Sequence, residues 1–165
     1  MQQEIERKFL VREDRWIPPE RGERILQGYL SREVTAVVRV RLKGNRAYLT
    51  IKGKNEGISR PEYEYPIPPQ DAVEILKMAK APVVEKTRYT VPYGEHNWEV
   101  DVFAGENAGL VLAEIELSSP TEKFLPPPWL GEEVSTDPRY YNVNLLAHPF
   151  KSWAISTTSG ENFGG

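Results

Sequence analysis

Polar and apolar residues alternate with period two through most of the chain as far as Leu117. In an extended strand successive side chains point to opposite faces, so the alternation reads as strands with two unlike faces. Over residues 4–11, Glu4, Glu6 and Lys8 share one face, while Ile5, Phe9 and Val11 share the other, with Arg7 among them. Residues 24–31 form a second run. Residues 37–43 and 46–52 flank Gly44-Asn45, a hairpin signal. A two-residue loop there sets Lys43 against Arg46, Arg41 against Tyr48 and Arg39 against Thr50. Arg39, Arg41 and Lys52 then lie opposite Val38, Val40, Leu42, Leu49 and Ile51. In residues 59–67, Arg60, Glu62 and Glu64 face away from Tyr63, Tyr65 and Ile67. A turn at Gly94-Glu95 joins residues 83–91 to 97–103, pairing Arg88 with Asp101 and Thr90 with Glu99. Residues 110–117 place Leu112, Glu114 and Glu116 against Val111, Ala113, Ile115 and Leu117. A loop of even length before them keeps Glu114 and Glu116 on the face of Asp101.

Elsewhere the period changes. Val73, Leu76 and Ala79, widened by Ile75 and Met78, predict a short amphipathic helix over 70–81 that Pro82 closes. Residues 12–19 read as a helical turn or loop stopped by prolines, and 124–130 as irregular. Asp137-Pro138 opens a helix to about residue 147, with Asp137 as N-cap. Residues 1–150 form one domain, and 151–165 a polar tail. The expected class is α+β, mainly β. Eight antiparallel strands can close into a barrel that holds one small ligand.

Either face could line such a barrel. An apolar outer wall needs cover from the helices, the proline-rich segment or a second copy of the chain, the last giving a homodimer. Against that stands the repetition of like charges: Glu4/Glu6, Arg39/Arg41, Glu62/Glu64, Lys86/Arg88, Glu99/Asp101 and Glu114/Glu116. Neighbours on one strand face lie about 6–7 Å apart. At an effective dielectric of ~20 each pair repels by roughly 2–3 kcal/mol. Such pairs make sense where an anion neutralises the bases and a cation the acids, and the alternation by itself leaves the choice of faces open.

Composition narrows the chemistry. The 165 residues carry 21 basic and 24 acidic side chains, a net charge of −3, so no nucleic-acid surface is expected. There is no cysteine, which excludes disulfides, thiolate metal sites and cysteine nucleophiles. No apolar run approaches a membrane span and no signal-peptide pattern opens the chain, so a cytoplasmic protein is expected. No glycine-rich phosphate loop occurs, and His96 and His148 sit in loop-like contexts that suit structural or exposed roles. Tyr29, Tyr48, Tyr140 and Tyr141 read as core or plug aromatics.

The ordered set Glu4-x-Glu6-x-Lys8, Arg39-x-Arg41, Thr50-Ile51-Lys52-Gly53, Glu85-Lys86-x-Arg88 and Glu114-Ile115-Glu116 resembles the CYTH family, the triphosphate tunnel metalloenzymes. The likeness covers residues 2 to about 150. It implies an eight-stranded tunnel with charged inner walls that binds a linear triphosphate with Mg²⁺ or Mn²⁺. By the same resemblance, Glu4, Glu6, Glu114 and Glu116 are metal positions. Lys8, Arg39, Arg41, Lys52, Lys86 and Arg88 are phosphate positions. Glu62, Glu64 and Asp101, with Lys52, form the catalytic set, the acids lying near a second, water-bearing metal. Arg60 and Glu99 match by parity alone. The activity implied is hydrolysis of inorganic tripolyphosphate to pyrophosphate and phosphate by metal-activated water. A nucleoside or thiamine triphosphatase, a class IV-type adenylate cyclase and a non-catalytic polyphosphate- or nucleotide-binding module are the alternatives.

Overall fold

A computed structural model describes residues 3–79 and 82–153. Its strands are β1 (Gln3–Val11), β2 (Glu23–Glu33), β3 (Ala36–Lys43), β4 (Arg46–Lys52), β5 (Ser59–Ile67), β6 (Val84–Tyr93), β7 (His96–Phe103), β8 (Val111–Glu116) and β9 (Leu130–Glu133), with helix α1 (Pro69–Leu76) between β5 and β6. All the described pairings are antiparallel. The order β5-β4-β3-β2-β6-β7-β8-β1 is closed by pairing of β1 with β5, so the eight expected strands form a ring. The closing seam is short: Gln3, Glu4 and Ile5 face Pro61, Arg60 and Ser59.

The tight turns set the register as their composition predicts. Gly44 and Gly94 take φ near +60°, a left-handed conformation that glycine adopts without steric cost. Lys43 then pairs with Arg46 and Arg39 with Thr50, while Arg88 pairs with Asp101 and Thr90 with Glu99. The charged faces point inward. Three apolar clusters result, two on the outside of the ring and one stopping an end. Trp98, Val100, Ala113, Ile115 and Phe9 lie outside under the chain returning through Trp129. Val40, Ala47 and Ala72 seal α1 onto β3 and β4. Leu145 and Leu146 join Val134 against Val37, Val84, Phe103 and Leu112, which are inward-facing positions. The outer cover is incomplete over β4 and β5, where Ile51, Tyr63 and Tyr65 stay 37%, 37% and 52% exposed.

Two expectations change. The irregular stretch leads into β9, which pairs with the end of β1 around Phe9 and Val11. The helix expected from Asp137 to about residue 147 is only a 3-10 turn, Pro138–Tyr140, capped by Asp137 accepting from the Arg139 amide. It stops because Tyr141 is extended, which turns Asn142 toward Lys86 while Leu145 and Leu146 enter the barrel end. Contacts with the ring outweigh helix propensity there. α1 ends at Leu76, before a turn at 77–79, and residues 80–81 of the expected helix lie outside the described residues. So does the tail from residue 154. Among the described residues, no helix is long and apolar enough to cross a membrane.

If the core lies outside the ring, Trp98→Ala costs about 3–5 kcal/mol in denaturant unfolding. Tyr65→Thr, on the uncovered face, stays within about 0.5 kcal/mol. Equal losses in the two variants would refute this placement.

Candidate functional site

Inward positions of all eight ring strands surround a cavity of about 260 Å³. Every expected phosphate position is buried in or at its wall: Lys8, Arg39, Arg41, Lys52, Lys86 and Arg88. Their partners divide them. Arg88 forms a two-pronged pair with Asp101 (Nε–Oδ1 2.7 Å, Nη2–Oδ2 2.9 Å) and reaches Glu99 at 3.3 Å and Glu114 at 3.7 Å. Lys52 lies 2.7 Å from Glu4 and 3.3 Å from Glu62. Arg39 meets Thr50 at 3.2 Å and Glu64 at 3.7 Å, and its buried Nε has no partner among the described residues. Arg41 donates to the neutral Gln27 at 2.9 Å. Burial and the neighbouring Arg39 and Arg88 push the Arg41 guanidinium down to about 9. A side chain that holds its charge so reluctantly marks a site short of anions.

The acids show the complementary strain. Glu6 and Glu114 project from the paired strands β1 and β8 and share a hydrogen bond. Burial, then the charges of Glu114 and Glu4, raise the Glu6 carboxyl well above the carboxylate range. Burial opposes ionisation of Glu114 too, but Lys8, the bond to Glu6, and Arg88 hold its carboxyl well below that range. The two shifts favour a proton shared in this bond on the side of Glu6. Glu116 is raised by burial and then by Glu4. Burial also disfavours the charged form of Glu4, yet Lys52 brings it down to about 2. Glu62 rises to about 7 through burial and its hydrogen bond with Glu4.

Carboxylates crowded until one keeps a proton suit a divalent cation that would replace that proton. Oxygen donors alone favour a hard ion such as Mg²⁺ or Mn²⁺. Glu4, Glu6, Glu114 and Glu116 all line the cavity. Among the described residues no group of three acids is already gathered for a metal, in keeping with Glu4 being drawn to Lys52.

The remaining candidates differ in depth. Glu64 and Glu99 stand at the mouth with side chains 40% and 39% exposed, and Arg60 approaches Glu4 at 4.0 Å. Asp101 is fully buried behind the wall, 2.7 Å from both Lys86 and Arg88. Burial opposes its ionisation, but Arg88 and Lys86 hold it at about 2. Lys86 in turn is pushed down to about 7, by burial more than Asp101 can offset. His96 pairs with Glu122 and His148 is exposed, so neither lines the cavity.

Sequence reasoning did not single out Gln27, Asn142 and Ser135. Gln27 carried a signal, a polar residue at inward parity between Ile25 and Tyr29. Asn142 and Ser135 carried none, since they come from the irregular segment after β9. Tyr29 and Tyr141, read as core or plug aromatics, also line the cavity.

Comparison with known proteins agrees with this architecture. The CYTH domain family model matches residues 2–147. An inorganic triphosphatase of Acetivibrio thermocellus is 47% identical, over 93% of this chain and 99% of the relative. One of Nitrosomonas europaea is 39% identical, over 86% and 95%. A crystal structure of an inorganic triphosphatase superposes with a TM-score of 0.63 at 36% identity, covering 86% of this chain and 96% of the other.

Two outcomes follow from the charges. Removing Arg88, which serves three carboxylates, leaves buried charge unpaired, so Arg88→Met costs about 3–5 kcal/mol in ligand-free melts. Arg41→Met, which relieves repulsion, costs less than about 1 kcal/mol or stabilises. Similar losses would mean that both arginines are structural. Second, divalent-cation affinity rises with pH, because the Glu6 proton must leave. Calorimetry in buffers of different ionisation enthalpy detects proton release on binding, and less of it where the pH is high enough for Glu6 to be ionised beforehand. A pH-independent affinity would contradict the shared proton.

Proposed function

Because the chain belongs to the CYTH family, we infer that it is a metal-dependent triphosphatase that hydrolyses inorganic tripolyphosphate to pyrophosphate and phosphate. The observation that carries this reading is the set of six buried basic side chains around one cavity, with Arg41 lacking an acid partner and the Arg39 Nε unpaired among the described residues. A short linear polyanion supplies the oxygens these groups lack. Arginine forks match phosphate oxygens, and lysine adds a mobile point charge.

Phosphoryl transfer depends mainly on positioning and neutralisation of charge. Lys8, Arg39, Arg41 and Lys86 hold phosphate oxygens from the inner part of the wall. Lys52 bridges the acid side, between Glu4 and Glu62, and moves from carboxylate to phosphate when substrate enters. Glu4, Glu6, Glu114 and Glu116 would hold Mg²⁺ or Mn²⁺. When bound, the cation neutralises phosphate oxygens and makes coordinated water more acidic. Glu62, whose carboxyl is raised to about 7, takes the proton of the attacking water, assisted by Glu64 at the mouth. Asp101 acts one step removed, fixing Arg88 and Lys86 in their places.

A substrate panel tests the reading. Tripolyphosphate with Mg²⁺ or Mn²⁺ should yield phosphate and pyrophosphate, faster than ATP or thiamine triphosphate yields phosphate. Cyclic nucleotide from ATP would point to a cyclase instead. EDTA abolishes turnover, and full activity in EDTA would end the metal assignment. Glu62→Gln lowers kcat by roughly 10²-fold or more with little change in tripolyphosphate affinity. Glu6→Gln weakens both, with partial rescue by excess metal. Identical mixed losses in the two variants would remove this division of roles.

A further inference from the structure

One end of the ring is stopped from within. Past the charged wall, the inward positions of β3, β6, β7 and β8 become Val37, Val84, Phe103 and Leu112. Val134, Leu145 and Leu146 fill the space between them. The segment is anchored on entry, where the Val134 amide donates to the Lys8 carbonyl at 2.8 Å and the Lys8 amide to Ser135 Oγ at 2.9 Å. Asn142 Oδ1 accepts from Lys86 Nζ at 2.7 Å and from Gln27 Nε2 at 3.1 Å, and so ties the stopper to β6 and β2.

Three of the six cations are connected to this segment. Lys86 bonds to Asn142 directly, Arg41 reaches it through Gln27, and Lys8 Nζ donates to the Tyr140 carbonyl at 3.3 Å. Their end of the cavity is closed, whereas at the other end Glu64 and Glu99 are exposed among the described residues. A linear phosphate chain entering by the mouth therefore has a floor to meet. How deep its first phosphate travels decides which P–O–P bond lies beside the acids.

Building on the function proposed above, we propose that Asn142 is a positioning residue that sets the register of the phosphate chain. It holds the floor and the Lys86 ammonium at a fixed depth, so that one bond of the chain is presented for cleavage. Tripolyphosphate conceals this, because a cut at either of its bonds gives pyrophosphate and phosphate. Tetrapolyphosphate reveals it. With one water consumed per cut, a terminal bond yields phosphate and tripolyphosphate, and the middle bond yields two pyrophosphates.

The test follows the initial products of tetrapolyphosphate by ³¹P NMR, with Mg²⁺ and the full chain, for the parent, Asn142→Leu and Asn142→Asp. In the parent one product pattern dominates. Asn142→Asp, which keeps both acceptor bonds, gives the same one. Asn142→Leu keeps the bulk without the acceptor and lets the chain change depth, so the minor pattern grows about tenfold, a difference of about 1.4 kcal/mol between registers. Should Asn142→Leu fail to melt cooperatively, Asn142→Ala carries the same comparison. Equal shares of the two patterns from the parent, or an unchanged pattern in the folded apolar variant, overturns the proposal. So does a parent that cleaves tripolyphosphate but not tetrapolyphosphate, since a chain stopped at the floor leaves its surplus phosphate in the open mouth. A parent inactive on tripolyphosphate itself would instead refute the triphosphatase reading.

Discussion

The structure depends on repulsion contained by a closed ladder. Arg39, Arg41, Lys86 and Arg88 are all buried on the inner faces of β3 and β6, on either side of β2, where water screens them little. Nothing in their side-chain chemistry favours that gathering. It persists because backbone bonding runs around the whole ring, including the short seam of β1 and β5, and because the apolar faces are buried elsewhere. Hydrophobic burial on the outside and end of the barrel thus stabilises an electrostatically unfavourable inside. This inverts the usual small barrel, in which the interior is the core.

The strain is distributed rather than uniform. Arg88 is matched by Asp101, Glu99 and Glu114, and Lys52 by Glu4 and Glu62, so these cations are compensated before any ligand arrives. Among the described residues, Arg41 has no acid partner and the Nε of Arg39 has no hydrogen-bond partner. The acids repeat the pattern, since Lys8, the bond to Glu6 and Arg88 favour the charged form of Glu114 while burial and the charges of Glu114 and Glu4 disfavour that of Glu6. A polyanion and a divalent cation each relieve one half of the imbalance. Binding therefore draws on a preorganised field rather than on a large rearrangement.

The family's chemistry also rests on elements that carry no charge pattern. α1 and the chain around Trp129 do nothing at the site, yet without them the outward faces of β3, β4, β7 and β8 would be bare. The segment after β9 covers an end of the cavity and supplies Tyr141 and Asn142 to its wall. Ring, outer cover and stopper are thus three parts with separate physical tasks.

Sequence alone determined the parity of each strand and its partners across the tight turns. Period-two alternation and a glycine turn are local facts, and Arg39 opposite Thr50 or Arg88 opposite Asp101 follows by counting. It also put like charges together, and the family resemblance told which face they line. Tertiary structure decided the rest. Closure of the ring turned the charged face inward, a choice that alternation leaves open because both faces obey the same period. Asp101 went behind the wall while Glu64 and Glu99 went to the mouth, since depth depends on strand tilt and neighbours rather than on parity. Asn142 entered the site because Leu145 and Leu146 found apolar partners across the barrel end, and that contact between distant segments overrode the helix expected after Asp137.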